Sequence, residues 1–356
     1  MAYDLMALLQ TVSEKGASDV FIDSGSPVTL KIKGEMLCYD DIKVLPKLAN
    51  EIIEEIYALA NRDLKTLKET GDDDFSFSVS GLSRFRVSAY KQRGSLAAVI
   101  RTVVFDIPDP KAMHIPDEVI LPVRDMKKGL VLVTGPAGSG KSTTLACMID
   151  AINTTRSGHI ITMEDPIEYI HKDKKCIVSQ REIKTDTSDY ITAVRASLRQ
   201  APDVILVGEM RDYETIRSVM TAAETGHLVI STLHSIGAVN TIDRIIDVFP
   251  PNQQQQIRVQ LSMILRTVIS QQLIQTNDGA FCPVFEVMHI NNAIRNMIRE
   301  SKVHQIDTVI ASSSKEGMMS MDAGLLALVK AKKISKDTAL TCASSPEMLE
   351  KRLMMM

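Results

Sequence analysis

The sequence predicts an α/β protein in two parts. A small α+β domain spans residues 1–106, a proline-containing linker spans 107–123, and a doubly wound domain with a helical C-terminal region spans 124–356. Short apolar runs alternate with helical stretches after residue 124, whereas the first hundred residues hold strands with period-two alternation and glycines near the breaks. Pro108, Pro110, Pro116 and Pro122 separate the two patterns, and each removes a backbone donor and disfavours helix in the residue before it. A length of 356 residues suits two domains, because single cores usually stop growing at about 250–300 residues.

In the first part, Leu5, Met6, Leu8, Leu9 and Val12 recur at helical spacing and a G-A-S-D turn leads to a strand at Val20–Ile22. Lys33-Gly34 marks a hairpin between Thr29–Ile32 and Glu35–Tyr39, and Leu48–Leu59 reads as an amphipathic helix. Phe75–Val79, Ser83–Tyr90 and Leu96–Val104 complete an antiparallel meander. In the second part, Leu130–Thr134, His159–Met163, Val204–Val207 and Leu228–Thr232 have the length and branched residues of buried parallel strands. Helices are expected at Lys141–Ile152, Asp189–Gln200 and Tyr213–Thr225. After Gly237 the chain reads as mostly helical, with Gln256–Ile274 the longest periodic segment and a strand at Ala280–His289.

Composition narrows the class. A formal net charge of -3 gives no general reason to expect a nucleic-acid partner. The five cysteines form no C-x-x-C pair, which argues against a zinc site and a secreted disulfide framework. No stretch approaches the roughly 20 apolar residues of a membrane span, and Met1–Gln10 lacks a basic region followed by a long apolar run. A cytoplasmic protein is therefore expected.

Gly135, Pro136, Ala137, Gly138, Ser139, Gly140, Lys141 and Ser142 fit G-x-x-x-x-G-K-[ST], and they follow an apolar strand and precede a helix, the context this phosphate-binding loop requires. The glycines let successive N–H groups converge on phosphate oxygens, the helix N-terminus adds its dipole, and Lys141 reaches the outer phosphates. The pattern predicts ATP/ADP as ligand, with Mg2+ at Ser142 and Glu209. Thr143 and Thr144 are expected to add hydrogen bonds to the α-phosphate. In open α/β sheets the reacting groups lie at the carboxyl ends of strands. Those ends carry Glu164-Asp165-Pro166, Gly208-Glu209 and Leu233-His234. Glu209 is the first choice for general base and Glu164 a second carboxylate for water or magnesium; the alternative for Glu164 and Asp165 is a solvated turn. His234, at a carboxyl end, suits a γ-phosphate sensor, while His227, at the amino end of the same strand, suits a structural role or a subunit contact.

These motifs resemble the PilT-type retraction motors of type IV pili, within the wider secretion ATPases. I-T-M-E-D-P-I-E-Y at Ile161–Tyr169 is similar to that family's Asp box, V-I-L-V-G-E-M-R-D at Val204–Asp212 to its Walker B, and T-G-H-L-V-I-S-T-L-H at Thr225–His234 to its His box. A-I-R-N-M-I-R-E at Ala293–Glu300 differs by one Met from the octapeptide of retraction motors. In it Ile294, Met297 and Ile298 share one helical face and Arg295 and Arg299 another, with Asn296 between them. The resemblance implies a RecA-like core with a PAS-like N-terminal domain, assembled as a homohexamer with nucleotide between domains. It also implies Arg84, Arg86 and Arg101 as arginines acting in trans; alternation along the strand puts the first two on one face, which could equally be a solvated one. The implied partners are an inner-membrane pilus platform protein and a paralogous ATPase, at the inner face of the cytoplasmic membrane. Ala137 stands where the family loop usually has threonine. Ser345–Leu353 is closer to longer family versions, including PilU, so a PilU-like accessory ATPase is one alternative; a nucleotide-binding regulatory subunit with little turnover of its own is another.

Overall fold

The computed structural model describes residues 3–103 and 107–355. The expected strand end at Val104, the domain boundary at 106 and the extreme chain ends lie outside them. The chain divides into two compact units, Met1–Asp106 and Ile107–Met356.

The first unit runs α1 (Leu5–Lys15), β1 (Asp19–Ile22), β2 (Pro27–Ile32), β3 (Glu35–Lys43), α2 (Pro46–Leu59), α3 (Lys65–Thr70), β4 (Asp72–Val79), β5 (Ser83–Gln92) and β6 (Ser95–Val103). Its sheet, ordered β3-β2-β1-β6-β5-β4, is antiparallel throughout. Asp4 caps α1 by accepting the Ala7 N–H at 2.9 Å, and the helix stops at Gly16 in the left-handed conformation that glycine reaches without strain. Leu5, Leu8, Leu9 and Val12 of α1 join Ile52, Ile53 and Ile56 of α2 in one core with Phe85, Val87 and Ile100 of the sheet. Period-two alternation therefore turns the even-numbered residues of β5, Arg84 and Arg86, to the opposite face.

The second unit begins with α4 (Asp117–Asp125), inside the stretch that the prolines suggest as linker. Pro122 sits within this helix and forfeits a backbone bond, but Val119, Ile120 and Val123 are buried in a shared core. Apolar burial outweighs the local proline preference. There follow β7 (Gly129–Thr134), α5 (Lys141–Thr155), β8 (Gly158–Glu164), β9 (Cys176–Glu182), α6 (Tyr190–Ser197), β10 (Val204–Val207), α7 (Tyr213–Glu224), β11 (Leu228–Leu233), α8 (Ala238–Asp247), α9 (Pro251–Ile264), β12 (Leu265–Gln275) and β13 (Phe281–His289). The order is β13-β12-β7-β11-β10-β8-β9, and every pairing except β12 with β13 is parallel. In β7, Leu130 and Leu132 enter the core beneath α6–α9, while Val131 and Val133 enter the core beneath α4 and α5. Cover on both faces explains why β7, β10 and β11 are buried at every position.

One expected helix is corrected. The periodic segment Gln256–Ile274 is helical only as far as Ile264 and then becomes β12. Leu265-Arg266-Thr267-Val268-Ile269 carries branched residues, and its backbone is claimed by β7 on one side and β13 on the other. Edge strand β9, which is largely polar, is a second element that the apolar-run criterion does not find.

The chain ends in α10 (Asn292–Arg299), α11 (Ile306–Ser312), α12 (Met321–Lys330), α13 (Lys336–Cys342) and α14 (Pro346–Met354). The last three pack with Ile274 and Val284 into a small core of their own. No helix among the described residues is long and apolar enough to cross a membrane. Because β7, β8, β10 and β11 run parallel, their carboxyl ends open on one edge of the sheet, where the site lies.

Candidate active site

The glycine loop leaves β7 after Thr134 and enters α5 at Lys141, with Gly140 at the helix start in a left-handed conformation (φ 87°). Two of its glycines, Gly135 and Gly140, lie against β12. A Cβ on Gly135 would lie 2.1 Å from the Gln271 carbonyl oxygen, and one on Gly140 would lie 2.9 Å from Gln271 Nε2. Backbone blocks any side chain at Gly135, while at Gly140 the positive φ and the Gln271 amide together favour glycine. Gln271 itself was not expected from the sequence, since it falls in the segment read there as helix.

Lys141 Nζ donates to the carbonyl oxygens of Gly135 and Pro136, each at 2.8 Å, so the ammonium folds over the loop. Burial draws it below the usual lysine range, and the Glu209 and Glu168 carboxylates oppose that shift. Thr143 shares a 2.9 Å hydrogen bond with the Tyr169 hydroxyl at the cavity wall. Thr144 differs from the sequence reading: it is fully buried, does not line that cavity, and donates to Gln271 Oε1 at 2.7 Å. Ser139 is also buried beneath the loop.

Ala137, Gly138, Gly140, Lys141, Ser142 and Thr143 line one wall of a cavity of about 430 Å³. Glu164, Asp165, Glu209, Arg211 and His234 line the facing side. The strand-end residues named from the sequence thus share one space with the loop.

The two carboxylates sit in different surroundings. Glu164, half-buried at the end of β8, accepts hydrogen bonds from Thr162 Oγ1 at 2.6 Å and from Gln180 Nε2 at 3.3 Å. Burial pushes its carboxyl up to about 7, while those two hydrogen bonds pull it down. Glu209 Oε2 meets Arg211 Nε at 2.7 Å and His234 Nε2 at 3.3 Å. The glycine before it is structural, because a Cβ on Gly208 would come within 3.0 Å of the Tyr190 hydroxyl and 3.2 Å of the Met163 carbonyl. That close crossing delivers Glu209 into the cavity. Arg211 was not named from the sequence; its place two residues after Glu209 was visible there, but the ion pair was not.

His227 lies apart from His234. Its Nδ1 is 3.1 Å from both the Ala222 carbonyl and Thr225 Oγ1, at the C-terminal end of α7. These contacts put His227 at the opposite end of β11 from the cavity. In the first unit, Arg86 and Arg101 are directly opposite on β5 and β6, and Arg84 shares their face. Arg101 Nε pairs with Asp19 Oδ1 at 2.8 Å, and Arg84 Nη1 reaches Ser78 Oγ at 3.4 Å. The octapeptide Ala293–Glu300 occupies α10 and its C-terminal cap, away from the cavity lining. Ile294 and Ile298 are buried, Met297 half-buried, Arg295 Nε donates to the Ser262 carbonyl at 3.1 Å, and Ala293, Asn296, Arg299 and Glu300 are exposed.

A glycine loop between a buried parallel strand and a helix, faced by carboxylates from neighbouring strand ends, defines a RecA-like P-loop domain. Residues 1–332 match the model of the "Type II/IV secretion system protein" family, and the chain belongs to that family. It is 44% identical over 346 residues to the type IV pilus retraction ATPase PilT of Pseudomonas aeruginosa, covering 97% of this chain and 99% of that one. Its identity to PilU, the type IV pilus ATPase of the same organism, is 37% over 339 residues, covering 95% and 88%. A crystal structure of the pilus retraction motor PilT with bound ADP superposes with a TM-score of 0.90 at 43% identity, covering 98% and 99%. The ATPase DotB of Legionella pneumophila superposes with a TM-score of 0.80 at 26% identity, covering 94% and 93%.

The raised Glu164 carboxyl has a measurable consequence. A folded value of about 7 against an ordinary value of 4.5 favours the protonated fold. The contribution is complete below the unfolded value and is lost as pH rises through the folded one, a difference on the order of 2 kcal/mol in an open cleft. Glu164→Gln, permanently neutral, should melt at the parent's temperature near pH 5 and about 2–4 °C above it at pH 8, without nucleotide or magnesium. Thermal melts across that range check this; a gap that failed to widen would contradict it.

Proposed function

We propose that this chain is the ATP-hydrolysing subunit of a hexameric motor that retracts type IV pili. The observation that carries the reading is the convergence of Lys141, Glu164, Glu209 and His234 with the glycine loop on one cavity. Family membership and the identity to PilT over nearly the full length agree with it. The higher identity and fuller coverage favour a PilT-like over a PilU-like role.

In this mechanism the N–H groups of Gly138–Ser142 and the dipole of α5 hold the β- and γ-phosphates of ATP. Lys141 exchanges its loop carbonyls for phosphate oxygens, so its charge moves onto the group being transferred. The hydroxyl of Ser142 and the carboxylate of Glu209 are the oxygens we assign to Mg2+. A hydroxyl and one carboxylate are a sparse protein ligand set. That fits magnesium, which usually takes one or two protein oxygens and fills its shell with phosphate and water. When bound it screens the developing negative charge.

Glu209 is assigned as general base for the attacking water, and Arg211 and His234 hold its carboxylate in place. His234, which lines the same cavity beside Glu209, senses the γ-phosphate; Glu164 orients water through its second oxygen. Arg84, Arg86 and Arg101 stabilise the phosphoryl group of a neighbouring subunit. The motor works at the inner face of the cytoplasmic membrane on a pilus platform protein, and pilin leaves the fibre base with each cycle. The octapeptide on α10 is its output surface.

The purified chain should hydrolyse ATP only with magnesium, and Lys141→Ala or Glu209→Gln should lower kcat by at least about 100-fold. Phosphate release measures this, and wild-type turnover in Glu209→Gln would remove it as base. For the arginines, neither Arg84→Ala nor Lys141→Ala homohexamers should turn over. Mixed rings of the two should regain activity, because some interfaces then pair an intact loop with an intact arginine. Absence of rescue at every mixing ratio would refute action in trans.

A further inference from the structure

Glu286 of β13 is a deeply buried carboxylate, 5% exposed, that the mechanism above does not use. Burying a charge is costly unless hydrogen bonds replace its water, so its partners indicate its work. Oε1 accepts the Ala238 N–H at 2.8 Å, at the first residue of α8. Directly across the sheet, Ser270 of β12 pairs with Glu286, and its Oγ accepts the preceding N–H, that of Gly237, at 2.8 Å. Two successive N–H groups are thus held by two facing residues of the β12–β13 ladder.

The segment so pinned is the four-residue loop His234–Gly237 that joins β11 to α8. His234 is half exposed, and its ring has one polar contact among the described residues, the 3.3 Å approach to Glu209. With that single contact the ring depends also on the backbone that follows it for its position. Ser235 Oγ and Thr241 Oγ1, 2.8 Å apart, close the loop onto the first turns of α8. Gly237 is at φ 87° with its Cβ position in van der Waals contact, 3.8 Å, with Glu286 Oε1, so the turn packs against the carboxylate.

Glu286 also reaches the other way. On its other side β13 is tied to the start of α12 by the Val287–Met319 backbone pair at 2.8 and 2.9 Å, and the nearby Met321 N–H favours the charged carboxylate against the burial that opposes it. One carboxylate therefore serves the N-termini of two helices, one from the His234 loop and one from the C-terminal region. A carboxylate suits this and a glutamine does not, because it offers two acceptor oxygens and no donor, while both helix dipoles favour negative charge there.

We propose that Glu286 is a positioning residue for His234, holding the sensor loop against β13 and linking it to the C-terminal helices. The proposal rests on the assignment of His234 as γ-phosphate sensor.

The test is a double-mutant cycle on the full chain, with steady-state turnover of Mg-ATP and the affinity for a fluorescent ADP analogue as readouts. Glu286→Ala should lower kcat by about 10–100-fold with KM and ADP affinity changed less than about threefold, because the phosphate loop is untouched. Glu286→Gln, which keeps one acceptor, should lose less. In a His234→Ala background Glu286→Ala should cost less than about twofold further, since its effect passes through the missing ring. Losses that multiply, or a Glu286→Ala protein with equal falls in kcat and ADP affinity, would overturn the proposal. If Glu286→Ala melts below the assay temperature, Glu286→Gln carries the same cycle. Wild-type turnover in His234→Ala alone would instead refute the sensor assignment.

Discussion

The site depends on the contact between the glycine loop and β12. Gly135 has no room for a Cβ, because the Gln271 carbonyl would be 2.1 Å away, and Gly140 lies against the amide end of the same side chain. Gln271 then accepts the Thr144 hydroxyl and so holds the first turn of α5 as well. One residue of a neighbouring strand fixes the loop at its start, its end and the helix behind it. The N–H groups of the loop can point outward only because the backbone underneath is this tightly held.

A second arrangement places the carboxylates. Glu164 and Glu209 end adjacent strands, β8 and β10, yet one rests between a threonine and a glutamine while the other meets arginine and histidine. Burial favours the proton on Glu164, whereas Glu209 lies in a 2.7 Å ion pair with Arg211. Carboxylates held in such contrasting surroundings can divide the tasks of orienting and deprotonating water. The β12–β13 ladder serves both halves of the site, through Gln271 under the loop and through Ser270 and Glu286 under the His234 turn.

The loop, the four parallel strands and the three strand-end residues were legible in the sequence because each is a local pattern: a spaced glycine motif, a short branched run, a polar residue where the run stops. The identity of β12 was not. Ile257, Leu261 and Ile264 continue at helical spacing into Leu265 and Val268, and only pairing with β7 and β13 turns the latter pair into a strand. With that strand went Gln271, and with Gln271 the true partner of Thr144. Helix α4 was hidden for the opposite reason, since its prolines spoke against the helix that burial stabilises. The Arg211–Glu209 pair needed a loop conformation that spacing does not encode. The division between His227 and His234 was readable, because strand direction alone separates the two ends of β11.

The central claim is that this ATPase removes pilin from fibres rather than adding it. Deleting its gene in the organism that encodes it, and imaging surface pili with twitching recorded on the same cells, tests that directly. The account requires more or longer fibres and no twitching, with both restored by the intact gene. Bald cells, or normal fibres on twitching cells, would contradict it.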